Sequence, residues 1–407
     1  MTEPPSQCDV AVIGAGILGL GVARELSRRH PRLDVCVLDR ESEPAQHQTG
    51  HNSGVVHAGI YYAPGSLKAQ LCVQGAAELY ELCEQRDIPH QRCGKLIVAT
   101  DASELQRLDE LERRGRANGV PGLERLDAAG IAELEPHVRG IAGLHSPHTG
   151  IVDFGAVARA YGEDVRAAGG VLALGCEVSG ARPAAGGLRV QHARGELQAG
   201  HAIFCAGAWA DRLAVACGAP RDPAIVPFRG AYLRLRAERR HLVRSLVYPV
   251  PDPALPFLGV HLTRHIDGNV LVGPTALLAG ARDAYRLGRV RPRDLAATLA
   301  WPGSWRMFAH WWRTGLTEIN HATRRTAFVR AAARFVPGLT ADDVEPAFAG
   351  VRAQALGRDG RLVDDFVFSS TPRALHVRNA PSPAATSSLA IARLIADRAE
   401  RELGVGA

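Results

Sequence analysis

Asp9-Val10-Ala11-Val12-Ile13-Gly14-Ala15-Gly16-Ile17-Leu18-Gly19 decides the reading of the fold. Its first five residues are an almost wholly apolar run, the pattern of a strand buried in a parallel sheet. The glycines follow at once, a helical pattern runs from Leu20 to Arg29, and a second apolar strand, Val35 to Leu38, ends in Asp39. G-x-G-x-x-G between strand and helix, with an acid about 20 residues on, predicts a dinucleotide-binding unit. Gly14 permits the tight turn, Gly16 lets backbone approach a pyrophosphate, and Gly19 lets helix and strand pack closely. Ile17 and Leu18, within the glycine turn, are candidate cofactor contacts, and pyrophosphate charge would sit on free N–H groups at the helix N-terminus. Asp39, followed by Arg40, is placed to accept hydrogen bonds from ribose hydroxyls and to repel a 2′-phosphate, which disfavours NADP.

Bulk properties narrow the class. At 407 residues the chain exceeds a usual single core, so two domains are expected. No apolar run reaches the length of a membrane span, and the polar, acidic opening Met1 to Gln7 has no signal-peptide character, so a cytoplasmic location is expected. The net charge of +6 is spread without blocks, which argues against a nucleic-acid partner. It favours an anionic substrate or an acidic membrane surface. Eight cysteines form no C-x-x-C pair, so buried free thiols are expected and no metal site.

Further along, Thr49-Gly50-His51-Asn52-Ser53-Gly54-Val55-Val56-His57-Ala58-Gly59-Ile60-Tyr61-Tyr62 is rich in small residues, letting backbone lie against something flat or charged. Two histidines and two tyrosines are unusual in a plain connector. Helices are expected from Leu67 to about Gln85, Ala102 to Arg116, Ala128 to Leu134 and Gly155 to Ala167. Strand-like segments with Pro and Gly punctuation (Val226 to Leu233, Phe257 to Arg264, Val270 to Pro274) predict an antiparallel sheet. The fold class is therefore α/β plus α+β. A Rossmann-like cofactor domain, discontinuous in sequence (1–90, 145–218 and 340–407), would carry an inserted antiparallel-sheet substrate domain (91–144 and 219–339). A final helix is expected from Ala384 to about Leu403, opened by Ser382 and Pro383.

The stretch from Thr49 to Leu71, Cys93-Gly94-Lys95-Leu96-Ile97-Val98-Ala99-Thr100, Gly259-Val260-His261-Leu262-Thr263-Arg264, Gly350 to Leu356 and Asn379 to Leu389 together carry a family resemblance. In order and over nearly the whole chain, they resemble the FAD-dependent L-2-hydroxyglutarate dehydrogenase/oxidase family. That family lies within the D-amino-acid-oxidase and glycerol-3-phosphate-dehydrogenase superfamily. Ala63, where a basic residue would be expected before Pro64, is a departure that removes one contact with an anion. The resemblance implies FAD, which the glycines alone leave open against NAD, and oxidation of L-2-hydroxyglutarate to 2-oxoglutarate. On this reading Gly14, Gly16, Gly19 and Asp39 hold the ADP half. Ser53 and Gly54 lie along the flavin, Val178 is near the adenine, and Arg40, Thr49 and Asn52 are further cofactor contacts. Ala206, Gly207 and Gly350 close on the cofactor, and the Ser382-Pro383 helix start faces the pyrimidine end.

Oxidising a 2-hydroxy acid moves a hydride from C2 to flavin N5 while the hydroxyl proton leaves, so a base and carboxylate anchors are needed. His57 is the first candidate base and His261 the second. Arg229, Arg264, Arg352 and Lys68 are candidate carboxylate anchors, with Thr263 beside them and Tyr61 and Tyr62 as hydroxyl donors. Arg352 has an alternative role, neutralising the reduced flavin. Electrons would leave to a quinone or to oxygen. Trp305, Phe308, Trp312 and Leu316 fall at helical spacing. They are expected to pack on the protein's own core, with a helix lying on a membrane surface as the alternative. A related oxidoreductase acting on glycerol-3-phosphate or a secondary amine is the rival function, and a nucleotide-binding protein without turnover the rival class.

Overall fold

The computed structural model describes residues 2–253, 255 and 257–406. The strand Gln7–Ile13 lies inside an eight-stranded sheet. Val35–Leu38 and then Val171–Ala173 extend the sheet in parallel on one side of it, and Gly195–Phe204 pairs in parallel on the other. Ala374–Asn379 adds a further parallel strand beside Gly195–Phe204, and the hairpin Val178–Ala184/Gly187–His192 an antiparallel extension. Four-residue Val35–Leu38 is buried throughout, which is why its sequence runs apolar without alternation.

The helix Ile17–Arg29 packs on this sheet with Phe154–Ala167 and Ser388–Leu403. Its inward residues Leu20, Ala23 and Leu26 are fully buried, at the spacing of three that one helical face requires. Each such leucine contributes about 1.5–3 kcal/mol. Arg28 and Arg29 occupy the last turn, where cations suit the helix dipole. A Cβ on Gly19 would collide with the Gly14 carbonyl oxygen, so the close turn-to-helix approach requires glycine there.

A second, nine-stranded sheet runs Leu277–Leu278, Ala224–Leu235, Val270–Gly273, His261–Arg264, Leu246–Pro249, Lys95–Ala99, Ala142–Ser146, Glu124–Asp127. It is antiparallel except where Leu246–Pro249 meets Lys95–Ala99 in parallel. The long strand Val344–Leu356 pairs along Ala224–Leu235, from Ala224 opposite Leu356 to Leu235 opposite Val344. A small sheet of Val55–Val56, Gly150–Val152 and His90–Gln91 adjoins the two.

Several expectations need correction. Residues 344–356, grouped by sequence with the cofactor segments, form a strand of the nine-stranded sheet. The strand expected over Phe257 to Arg264 is confined to His261–Arg264. The last helix begins at Ser388, not Ala384. Pro381 and Pro383 lack N–H groups and Ser382 precedes a proline, so residues 382–387 form successive turns instead. On the helix Pro302–Thr323, Trp305, Trp312 and Leu316 are more than half exposed, whereas Ser304 and Met307 are buried and Phe308 and Trp311 half-buried. Of the stripe, only Phe308 packs on the protein's own core, against Val226, Met307 and Leu356; Trp305, Trp312 and Leu316 turn away from it. Trp311, with non-helical φ −108° and ψ 17°, kinks the helix and breaks the phase that spacing alone assumes.

Candidate active site

One cavity of about 1290 Å³ runs from the opening glycines to the face of the nine-stranded sheet. At its first end lie Gly14, Gly16, Ile17, Leu18, Asp39, Arg40, Thr49 and Val178, and along it Asn52, Ser53, Ala206, Gly207, Gly350, Ser382 and Pro383. His57, Tyr61, Tyr62, Lys68, His261 and Arg352 line its far end. Gly19, Gly54, Arg229, Thr263 and Arg264 do not line it.

The first end suits a dinucleotide. Gly16 caps the helix Ile17–Arg29 without any side-chain hydrogen bond, and no acidic residue sits in the first turn, so the helix N-terminus faces the cavity as a site for phosphate charge. Thr49 Oγ1 accepts the Ile17 N–H at 3.1 Å and pins the following loop to the helix. Asp39 accepts N–H groups from Ala15 (2.6 Å) and Glu41 (2.8 Å), which fixes its carboxylate at the strand end with lone pairs left for a diol. Burial raises its pKa against the lowering effect of these two bonds. The Arg40 guanidinium lies 3.6 Å over the Trp209 ring.

Loop geometry then carries the chain to the far end. Asn52 Nδ2 donates to the Thr49 carbonyl at 2.6 Å while its Oδ1 accepts the Gly54 N–H at 2.7 Å, so this amide shapes backbone. Gly54 adopts φ +71°, where a Cβ would sit 3.0 Å from the Val152 carbonyl oxygen. The His57 N–H donates to Thr386 Oγ1 (3.1 Å) and its carbonyl accepts the Cys72 thiol (3.3 Å), placing the ring at the cavity wall.

The two imidazoles there are neutral. Burial, then Lys95, His261 and Arg352, push His57 well below its ordinary pKa. Its Nε2 is 3.4 Å from Ser382 Oγ, and its buried Nδ1 has no partner. His261 is pushed down to about 3, chiefly by burial. Its Nδ1 lies 2.8 Å from the Gly259 carbonyl, to which it donates as Nδ1–H, leaving Nε2 as an acceptor. The ring stacks on Tyr248 at 4.0 Å. The Tyr61 hydroxyl is buried at the wall without a partner. His57 Nδ1 and the Tyr61 hydroxyl both lie beneath the cavity surface, and neither has a hydrogen-bond partner among the described residues.

The candidate cations divide. Arg352 sits 5.1 Å over the Phe257 ring, and among the described residues no carboxylate pairs with it. Lys68 is already engaged, donating to Asp364 Oδ1 at 2.7 Å and to the Asp364 carbonyl at 3.0 Å. Strand alternation turns others away. Arg264 lies three residues past His261, hence on the opposite face, and donates to the Arg244 carbonyl at 3.3 Å. Thr263 shares the His261 face but lies behind Tyr248, its hydroxyl 3.5 Å from the Tyr248 hydroxyl. Arg229 alternates with cavity-lining Gly230, and its side chain leaves the cavity. Sequence reading did not single out Tyr232, Tyr248 and Phe257, which line the far end, or Lys95 behind it. The visible signal for Lys95 was a lysine opening the apolar strand Lys95-Leu96-Ile97-Val98-Ala99.

Comparison with known proteins bears on this arrangement. The family described as FAD dependent oxidoreductase (DAO) matches residues 9–398. The mitochondrial L-2-hydroxyglutarate dehydrogenase of Nematostella vectensis is 48% identical, covering 98% of this chain and 91% of that protein. The Homo sapiens protein of the same name is 45% identical, covering 97% and 89%. An L-2-hydroxyglutarate dehydrogenase of Escherichia coli is 42% identical, covering 96% and 93%. Among solved structures, dithionite-reduced L-alpha-glycerophosphate oxidase from Mycoplasma pneumoniae with FAD bound has a TM-score of 0.79 at 24% identity, covering 98% of this chain and 95% of that one. Glycine oxidase from Geobacillus kaustophilus has a TM-score of 0.71 at 20% identity, covering 98% and 95%. The shared architecture is thus a flavin-binding one, and its glycine-lined end fits the ADP half of the cofactor. The chain belongs to the FAD dependent oxidoreductase family, and its cofactor is FAD.

Proposed function

We propose that the chain oxidises L-2-hydroxyglutarate to 2-oxoglutarate. One observation of the site carries this reading: Arg352, a cavity-facing guanidinium without a carboxylate partner among the described residues, stands at the same end as two neutral imidazoles. A 2-hydroxydicarboxylate supplies what both lack, an anion for the guanidinium and a hydroxyl proton for an imidazole. The full-length likeness to proteins named L-2-hydroxyglutarate dehydrogenase supports this choice of dicarboxylate.

FAD supplies the acceptor for the hydride that leaves C2. The chain's residues do the rest. Arg352 holds one carboxylate in its guanidinium fork, and the Tyr61 ring forms part of the wall beside it. His57 takes the hydroxyl proton through Nε2, which lies 3.4 Å from the cavity-lining Ser382 hydroxyl, whereas His261 commits Nδ1 to Gly259 and orients the substrate. The substrate loses one hydride and one proton, and its C–O single bond becomes a carbonyl. Mixing the oxidised holoenzyme anaerobically with L-2-hydroxyglutarate, its D enantiomer or glycerol-3-phosphate tests this. Bleaching of the flavin band by the L acid is expected. Bleaching by glycerol-3-phosphate alone would refute the substrate.

We infer further that the helix Pro302–Thr323 meets a membrane surface. No helix among the described residues is long and apolar enough to cross a membrane, but Trp305 (60% exposed), Trp312 (55%) and Leu316 (57%) turn outward. Arg313 lies 5.2 Å over the Trp312 ring, a cation beside the apolar face as an anionic interface requires. A membrane quinone is the electron acceptor this surface suits, with oxygen the alternative. Failure to float with anionic liposomes at low salt would refute the membrane contact.

A further inference from the structure

Lys95 opens the strand Lys95–Ala99 and is 1% exposed. Its ammonium stands 4.3 Å from the Tyr248 ring centroid and 5.3 Å from that of Tyr61, behind the wall those rings give the cavity. Among the described residues no carboxylate pairs with it. The acidic groups that face it are the thiols of Cys72, from the helix Leu67–Gln85, and of Cys93. Burial pushes both thiols up, to about 12 and about 11, so neither is an anion at neutral pH. The basic groups that share its field are His57, His261 and Arg352, from three other segments. Its strand partners Leu246 and Ser146 carry no charge.

An ammonium without a counter-ion is costly in such a place. Burial lowers its pKa to about 8, and methionine or leucine would fill the volume without that cost. Cation–π contact with two tyrosines offsets only part of it. A buried cation that costs stability, directly behind two rings of the cavity wall, calls for a function.

We propose that Lys95 is a positioning residue: its ammonium, held behind Tyr61 and Tyr248, provides the positive potential that draws a dicarboxylate into this end of the cavity, and its repulsion adds to the burial that disfavours a charged imidazole at His57 and His261. The inference rests on the reaction proposed above. The tyrosine rings separate the charge from the substrate, so it acts through field and through ring position, not by contact. With the substrate bound, its anionic carboxylates supply the counter-charge that Lys95 and Arg352 lack in the protein.

The test uses FAD-loaded wild type, Lys95→Met and Lys95→Arg. The oxidised holoenzyme is titrated with 2-oxoglutarate by flavin absorbance between pH 5 and 10, and kcat/KM is followed over the same range. Wild-type affinity should weaken as pH rises through about 8, where Lys95 loses its proton. Lys95→Arg, whose charge does not titrate there, should remove that fall. Lys95→Met should bind roughly tenfold more weakly at neutral pH and move the acid limb of kcat/KM upward by about one pH unit, because the imidazoles take protons more easily. It should also melt at a higher temperature than wild type, which a merely damaged core would not do. Affinity and both pH limbs unchanged in Lys95→Met would overturn the inference. If Lys95→Met fails to hold FAD, coincident wild-type and Lys95→Arg profiles overturn it. A wild-type flavin that L-2-hydroxyglutarate does not bleach refutes the reaction instead. The melting comparison then decides on Lys95: a lower value for the methionine variant means a satisfied lysine and ends the proposal.

Discussion

Replacing Arg352 by methionine isolates the anchoring contact. Its guanidinium has a ring for a neighbour and no carboxylate among the described residues, so truncation breaks no internal ion pair. What is lost is the fork to a substrate carboxylate, two charge-assisted hydrogen bonds. One such bond is worth about 1.5–3 kcal/mol. Because paired bonds are not additive, about 3 kcal/mol is a fair total, or roughly 150-fold at 1.36 kcal/mol per tenfold. The contact exists before and during the reaction, so the loss should fall on substrate dissociation and leave the limiting rate of flavin reduction near wild type. Arg352→Lys keeps the charge without the fork and should recover part of the affinity. Anaerobic stopped-flow reduction at graded L-2-hydroxyglutarate separates the two quantities. A dissociation constant within threefold of wild type would refute the anchoring role. A fall confined to the reduction rate would transfer Arg352 to the reduced flavin, the other role its sequence position offers.

His57→Asn should lower the reduction rate constant by about 10²–10⁴, the usual contribution of a general base, whereas His261→Asn should act mainly on affinity; rapid-mixing traces that reverse this order would exchange the roles. The kcat/KM profile of wild type should lose activity on the acid side only well below pH 6, since both imidazoles must charge there against burial and neighbouring cations. Because His261 stays neutral down to about 3 when folded but titrates near 6.5 when unfolded, the unfolded state binds more protons in that window; stability should therefore fall as pH drops through it, read by thermal melts at graded pH. Trp305→Ser with Trp312→Ser should abolish liposome flotation while leaving anaerobic flavin reduction unchanged.

Much of the cofactor end was legible because its signals are local. Strand, glycines, helix and Asp39 fall within one run, and each demand there (a turn at φ +112° for Gly14, close packing at Gly19) is met by the adjacent residues. The substrate end was only half legible. His57, Tyr61 and Tyr62 announce themselves by density in one segment. Thr263 and Arg264 were grouped with His261 by proximity, although a period of two places residues three apart on opposite faces. Tyr248 and Lys95 could not be paired from sequence, because they meet only where Leu246–Pro249 and Lys95–Ala99 join in parallel across some 150 intervening residues. The aromatic stripe meets the core only at Phe308, since nothing local says which side of a kinked helix the core lies on.

The far end of the cavity follows one electrostatic rule. Burial makes an isolated charge expensive at both histidines and at Lys95: the imidazoles give up their protons, while Lys95 and the exposed Arg352 have no carboxylate partner among the described residues. Had acidic side chains neutralised those two cations, the protein would be more stable and a dicarboxylate would have to displace them to bind. Leaving the cations unpaired gives the substrate's own anions the differential interaction instead. The same field, with burial, opposes charging of the imidazoles until the substrate's carboxylates offset it, so binding itself raises the basicity of the imidazole that takes the proton. Adding a carboxylate beside Lys95, as in Cys93→Asp, should therefore raise thermal stability or leave it unchanged while weakening 2-oxoglutarate binding. A variant that bound the keto acid more tightly would show that the cations serve the fold and not the ligand.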